Sequence, residues 1–140
     1  IIKRASAISD ELIVAVTNNV NKPQYVELND RINLISEAVK DIKNVKIMSF
    51  DTLLTDFCKE VKADCIIKSI RNTVDFAYEE QMAAANKLTG DIETLFLFAS
   101  PQYKHISSTF VRELISYGAD ITPFVPQGLA QKIVKVTKCL

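Results

Sequence analysis

Four short apolar runs, LIVAV (12–16), VKIMSF (45–50), DCIIKS (64–69) and ETLFLFA (93–99), alternate along the chain with segments of helical periodicity. Each run is of strand length and rich in β-branched or aromatic residues. Between them, Leu28, Ile32, Ile35 and Val39 form one apolar stripe at helical spacing. Leu53, Leu54, Phe57 and Val61 form the next, then Tyr78, Met82 and Ala85, then Phe110, Val111, Leu114 and Ile115. Gly118 stands where a helix C-terminal glycine belongs, and a last helix is expected from near Pro126, with Leu129, Ile133 and Val136 on one face. The order α-β-α-β-α-β-α-β-α-α predicts right-handed crossovers and a parallel sheet covered on both faces. Near-continuous apolar strands fit that cover, because a strand buried on both sides need not alternate. The expected fold class is therefore α/β, a doubly wound parallel sheet. With 140 residues, 48% hydrophobic and 24% charged, the chain makes one domain over 1–140.

Scarce residue types narrow the chemistry. The three glycines, Gly90, Gly118 and Gly128, permit neither G-x-G-x-x-G nor G-x-x-x-x-G-K-[ST], so a glycine-cradled phosphate site is excluded. A single histidine, His105, excludes H-E-x-x-H and any histidine-cluster metal site. Cys58, Cys65 and Cys139 have no C-x-x-C spacing and read as reduced thiols in a cytoplasmic protein, with Cys58 and Cys65 packed inside. Seventeen basic and seventeen acidic residues balance, which argues against a chain built to coat nucleic acid or an anionic membrane. No apolar run approaches the roughly 18 residues of a membrane span, and the amino terminus has no signal-peptide anatomy.

Ligands of doubly wound sheets bind beyond the carboxyl ends of the strands. The loops to read are therefore 17–26, 51–53, 69–75 and 99–109. In the first, Lys22 is either an ammonium reaching an anion or a solvated loop lysine. In the third, Lys68 closes a buried strand and Arg71 follows three residues later. Two cations there are costly without an anionic partner. The partner is either an acid of the next helix, Asp75 or Glu79, or a phosphate captured from solution. In the fourth, Ser107, Ser108 and Thr109 open a helix, whose N-terminal N–H groups favour an anion. Capping needs one hydroxyl, and three in succession point to phosphate. Tyr103 and His105 flank this point, His105 as a loop imidazole rather than a catalyst. The loops together describe a domain that binds a phosphorylated ligand or nucleotide.

ELIVAV-TNN-x-NK-P, S-F-D-x-L-L-x-D-F, I-K-S-I-R-N-x-x-D-F-x-Y-E-x-Q-M-A, E-T-L-F-L and I-S-S-T-x-V-R-E, in that order, resemble the bacterial phosphopantetheine adenylyltransferases over essentially the whole chain. The resemblance implies a Rossmann-like nucleotidyltransferase fold and a cytoplasmic homohexamer. It implies transfer of the adenylyl group of ATP to 4′-phosphopantetheine, giving dephospho-coenzyme A and pyrophosphate, with coenzyme A as a feedback ligand. It implies Mg2+ held mainly by ATP phosphates, with no metal site of the protein's own. By residue, it places Lys22 on the phosphates of both substrates, Leu54 in the pantetheine channel and Lys68 on the phosphopantetheine side. Ser69, Ile70, Arg71 and Glu79 are implied on ATP, as are Tyr103, Lys104, His105, Ile106, Ser107, Ser108 and Thr109. Lys22 and Arg71 are the implied catalytic pair.

The sequence departs from that family at two points. R-G-[LI]-R appears as Lys68-Ser69-Ile70-Arg71, so the first cation loses the bidentate fork and a glycine becomes serine. The family's opening strand and G-x-F-D-P-x-x-x-G-H loop, with its histidine, do not precede Ile1, and His105 is no substitute. We expect that segment in the natural protein, with its strand central in the sheet. Two other readings share the fold: a non-catalytic nucleotide-binding module, and a nucleotidyltransferase for another small phosphorylated acceptor.

Overall fold

Strand β1 (Leu12–Val16) pairs in parallel with β2 (Val45–Ser49), from Leu12 opposite Val45 to Val16 opposite Ser49. Strand β3 (Cys65–Ile70) pairs in parallel with β4 (Glu93–Phe98), from Cys65 opposite Glu93 to Ile70 opposite Phe98. These pairings come from a computed structural model that describes residues 1–18 and 24–138. Parallel neighbours need a crossover, and helices supply it: α2 (Leu28–Val39) joins β1 to β2, and α4 (Thr73–Gly90) joins β3 to β4. Helix α1 (Ile2–Ser6) precedes β1, α3 (Leu54–Glu60) lies between β2 and β3, and α5 (Ser108–Ser116) and α6 (Ala130–Val136) follow β4. The expected alternation of helix and strand is present in order, and the chain is α/β with parallel strands.

Among the described residues the strands form two separate two-stranded sheets, not one continuous ladder. Helix α2 packs on β1 and β2, while α4 packs on β3, β4 and α3. Cys58, Ile66 and Ile92 form a buried cluster between α3 and the β3–β4 pair, with Leu54 and Ala63 packed against it. Cys58 thus serves as a small apolar side chain, and burial raises its thiol pKa. Phe50 and Phe57 stack with ring centroids 4.8 Å apart, closing the β2–α3 turn.

Helix ends follow local chemistry. Asn72 caps α4 by accepting from the Asp75 N–H at 2.9 Å. Gly118 lies at φ 69° just beyond α5 and donates to the Ile115 carbonyl, while Ala119 donates to Leu114. That is the Schellman pattern, so glycine is needed for its left-handed backbone. At the other end of α4, Gly90 lies so close to α3 that an added Cβ would stand 2.6 Å from Thr55 Cβ.

Three packing expectations are corrected. Tyr78, Met82 and Ala85 do not face the core; the inward positions of α4 are Asp75, Glu79, Ala83 and the buried Asn86. The helix is rotated so that Asp75 and Glu79 meet the cations at the end of β3. Leu53 precedes α3 and is exposed, leaving Phe57 and Cys58 as that helix's buried apolar residues. The last helix begins at Ala130 rather than near Pro126, because Pro126–Leu129 forms a turn closed by the Leu129 N–H to the Pro126 carbonyl.

Candidate functional site

Equal register brings the carboxyl ends of β3 and β4 level. The Ala99 N–H donates to the Ile70 carbonyl at 2.8 Å, extending the ladder one residue past the strands. Lys68, Ser69, Ile70 and Arg71 therefore meet the start of the 99–109 segment. Ile70 is fully buried and anchors this end, while Ser69 is exposed, which leaves room for its side chain where the resemblance has glycine.

Arg71 ties the two loops together. Its Nε donates to Asp75 Oδ2 at 2.8 Å and its Nη2 to Asp75 Oδ1 at 3.2 Å, a side-on fork. The Arg71 backbone N–H donates to the same carboxylate at 3.2 Å. On the other side, Nη1 donates to the Ile106 carbonyl at 3.3 Å. Hydrogen bonding from Arg71 holds the Asp75 carboxyl below its usual range, and the same bond raises the Arg71 pKa. One turn further along α4, Glu79 Oε2 lies 3.3 Å from Lys68 Nζ. That distance gives an ion pair, but the atoms are out of line for a hydrogen bond, and Oε2 is buried without one. Both cations thus have acidic partners on the inward face of α4: Arg71 takes Asp75, and Lys68 takes Glu79.

The 103–109 segment divides its roles. Ser107 caps α5, its Oγ accepting from the Phe110 N–H at 3.1 Å. Thr109 Oγ1 accepts from Arg112 Nη2 at 3.2 Å. Ser108 is exposed at the first position of the helix, and Tyr103, Lys104 and His105 are exposed on the approach to it. The His105 ring meets Phe124 edge-on at 6.1 Å, the contact of a loop imidazole packed on a neighbour. Ile106 is half-buried and contributes its carbonyl to Arg71. Leu54 opens α3 and packs against the Cys58 cluster. Lys22 lies outside the described residues.

Two arginines at this level were missed by reading loops alone. Arg4 of α1 donates through Nη1 to the Phe98 carbonyl at 2.6 Å, at the carboxyl end of β4. Arg31 of α2 donates to the Thr17 carbonyl at 2.9 Å and to Asn18 Oδ1, pinning the exit of β1. Both belong to helices, and the sequence signal is the arginine in the helix itself, not its loop. Beyond β1, Arg112 of α5 stacks over the Tyr25 ring at 4.1 Å, and the Lys138 N–H donates to the Tyr25 carbonyl at 2.7 Å. The rim therefore combines several cations, a capped helix start and two loops joined through one guanidinium. Among the described residues no group of three or more His, Cys, Asp or Glu side chains is placed to hold a metal ion.

Comparison with known proteins bears on the family of the chain. The cytidylyltransferase-like family model matches residues 1–114. A phosphopantetheine adenylyltransferase of Vesicomyosocius okutanii is 46% identical over 130 residues, covering 92% of this chain and 82% of the relative. Those of Caldanaerobacter subterraneus and Bacteroides thetaiotaomicron are 42% and 40% identical, covering 99% and 92% of this chain and 87% and 85% of the relatives. With identity this high over nearly its whole length, and parallel α/β pairs that agree with the family model, the chain belongs to the cytidylyltransferase-like nucleotidyltransferases and, among them, to the phosphopantetheine adenylyltransferase family.

Proposed function

We propose that the protein transfers the adenylyl group of ATP to 4′-phosphopantetheine, forming dephospho-coenzyme A and pyrophosphate. The carrying observation is the Arg71 guanidinium, held between Asp75 and the Ile106 carbonyl at the strand ends, in a chain of this family. The phosphate of phosphopantetheine attacks the α-phosphorus of ATP in line. The bond to the β-phosphate oxygen breaks as the new P–O bond forms, and pyrophosphate leaves with the electron pair. No protein nucleophile is required, so catalysis consists of positioning and charge neutralisation. Arg71 and the start of α5 at Ser107, Ser108 and Thr109 take the ATP phosphates. Tyr103, Lys104, His105 and Ile106 flank the nucleotide, with Ser69 and Ile70 beneath it and Glu79 toward the nucleoside. Lys68 and Leu54 serve the phosphopantetheine side, and Lys22 reaches the phosphates of both substrates.

A metal ion accompanies the nucleotide, and Mg2+ is the one proposed. The donor set fits an ion carried on phosphate: the rim acids Asp75 and Glu79 are engaged by Arg71 and Lys68. Magnesium keeps much of its water and binds phosphate oxygens readily. When bound, it would supply charge neutralisation on the leaving pyrophosphate.

The exposed apolar face of α4, with Val74, Tyr78, Met82 and Leu88, supports assembly into a homohexamer, for which sedimentation analysis is the test. No helix among the described residues is long and apolar enough to cross a membrane, and the proposed location is cytoplasmic. Coenzyme A is the proposed feedback ligand, as it shares the pantetheine arm of the product. Pyrophosphate release should require both ATP and phosphopantetheine. Release with nicotinamide mononucleotide or glycerol phosphate instead would refute the acceptor, and ATP binding without any release would mark a binding module.

A further inference from the structure

Three of the five N–H groups of Arg71 are engaged, Nε and one on Nη2 by Asp75 and one on Nη1 by Ile106. The remaining two, one on each terminal nitrogen, have no partner among the described residues, and the side chain is 37% exposed. An arginine of this kind has several rotatable bonds, and freezing it on a ligand costs affinity. Here that freezing has already occurred. Asp75 sits in the first turn of α4, fixed by the Asn72 cap, and its carboxylate grips both the guanidinium and the Arg71 backbone N–H. The same orientation directs Nη1 to Ile106 and so fixes the approach to α5.

We propose that Asp75 is a positioning residue for nucleotide binding: it holds Arg71 so that the two unengaged N–H groups are presented to the phosphates of ATP, and through Arg71 it orders the 103–109 segment. This rests on the reading that Arg71 binds ATP phosphates. Asp75 does not touch the nucleotide; it acts through Arg71. Removing its charge frees the guanidinium and releases the Ile106 carbonyl together. A merely structural Asp75 would change melting temperature and both substrate affinities alike.

ATP and phosphopantetheine affinities, measured by calorimetry on Asp75→Asn, Arg71→Ala and the double variant, test this. Asp75→Asn should weaken ATP about three- to tenfold, the cost of ordering one long side chain on binding. Phosphopantetheine affinity should stay within twofold. Arg71→Ala should weaken ATP more, and adding Asp75→Asn to it should change nothing further. Amide exchange at residues 104–108 should accelerate in Asp75→Asn. If Arg71→Ala leaves ATP affinity intact, the reading of Arg71 fails and this proposal with it. If Arg71→Ala weakens ATP while Asp75→Asn does not, or if the two effects simply add, the positioning role alone is overturned.

Discussion

Lys68 Nζ and Glu79 Oε2 stand 3.3 Å apart, the lysine on β3 and the glutamate in the second turn of α4. Their side chains are 33% and 22% exposed, so each is drawn well out of water. Lys68→Met leaves the Glu79 carboxylate without its cation. We expect a loss of about 1–2 kcal/mol in urea unfolding, below the deeply buried case because solvent screens the pair. Glu79→Gln should cost less, since the ammonium left behind belongs to the more exposed partner and its flexible stem can carry it to water. An unchanged midpoint for Lys68→Met would show that the pair does not contribute.

Gly90 and Thr55 set the approach of α4 to α3. Alanine at 90 would place its Cβ 2.6 Å from Thr55 Cβ and 2.7 Å from Cγ2. The gain in helix propensity, below the roughly 1 kcal/mol of a helix interior because Gly90 is the last residue of α4, is outweighed by the clash, for a net loss of about 1–2 kcal/mol. Adding Thr55→Ala should give little rescue, because the Thr55 Cβ remains, whereas Thr55→Gly should relieve the clash. Thermal unfolding of the series checks this, and full rescue by Thr55→Ala would contradict the geometry.

Acid should selectively weaken the Arg71–Asp75 contact. Asp75 is held below its ordinary carboxyl range, first by the hydrogen bond from Arg71. Its contribution is complete above its unfolded pKa, about 3.9, and disappears as pH falls through the lower folded value. The melting-temperature gap between the protein and Asp75→Asn should therefore be constant near neutrality and close below about pH 4. The depressed carboxyls of Glu27, Glu37, Asp91 and Asp120 titrate in both proteins and cancel in the difference. A gap that stays undiminished as pH falls well below about 4 would refute the assignment.

Lys22 follows β1 in the sequence, within N-x-NK-P. If it neutralises charge on the transferring phosphates, Lys22→Ala should lower kcat by about 100- to 1000-fold, as when one such donor is removed. Stability should hardly change if its role is in catalysis alone. Near-normal turnover, or an equal fall in melting temperature and rate, would remove Lys22 from the site.

Cys58 is buried in the α3 cluster and its thiol pKa is raised by desolvation. Thiolate is the reactive form, so alkylation of Cys58 at neutral pH should be slow in the folded protein and rapid in urea. Mass spectrometry after iodoacetamide resolves the site, and fast labelling of Cys58 in the native state would contradict its burial.

Periodicity alone set the order of helices and strands and where the strand-end loops fall. Each apolar run became a strand, and Gly118 ended α5, because these outcomes depend on neighbours a few residues away. The cations Lys68 and Arg71 could be located from sequence, but their partners could not. Asp75 and Glu79 were both in reach of Arg71 by spacing, and the packing of α4 gave Asp75 to Arg71 and Glu79 to Lys68. The rotation of that helix was likewise decided by tertiary structure. Its apolar residues Tyr78 and Met82 face outward, and Asp75 and Glu79 face the sheet while Glu80 stays exposed. Turning Asp75 and Glu79 inward gives both half-buried cations a counter-ion, which neither Tyr78 nor Met82 at those positions could supply. Hydrophobic patterning records how polar each face of a helix is; which face turns inward depends on the charges waiting at the end of the neighbouring strand.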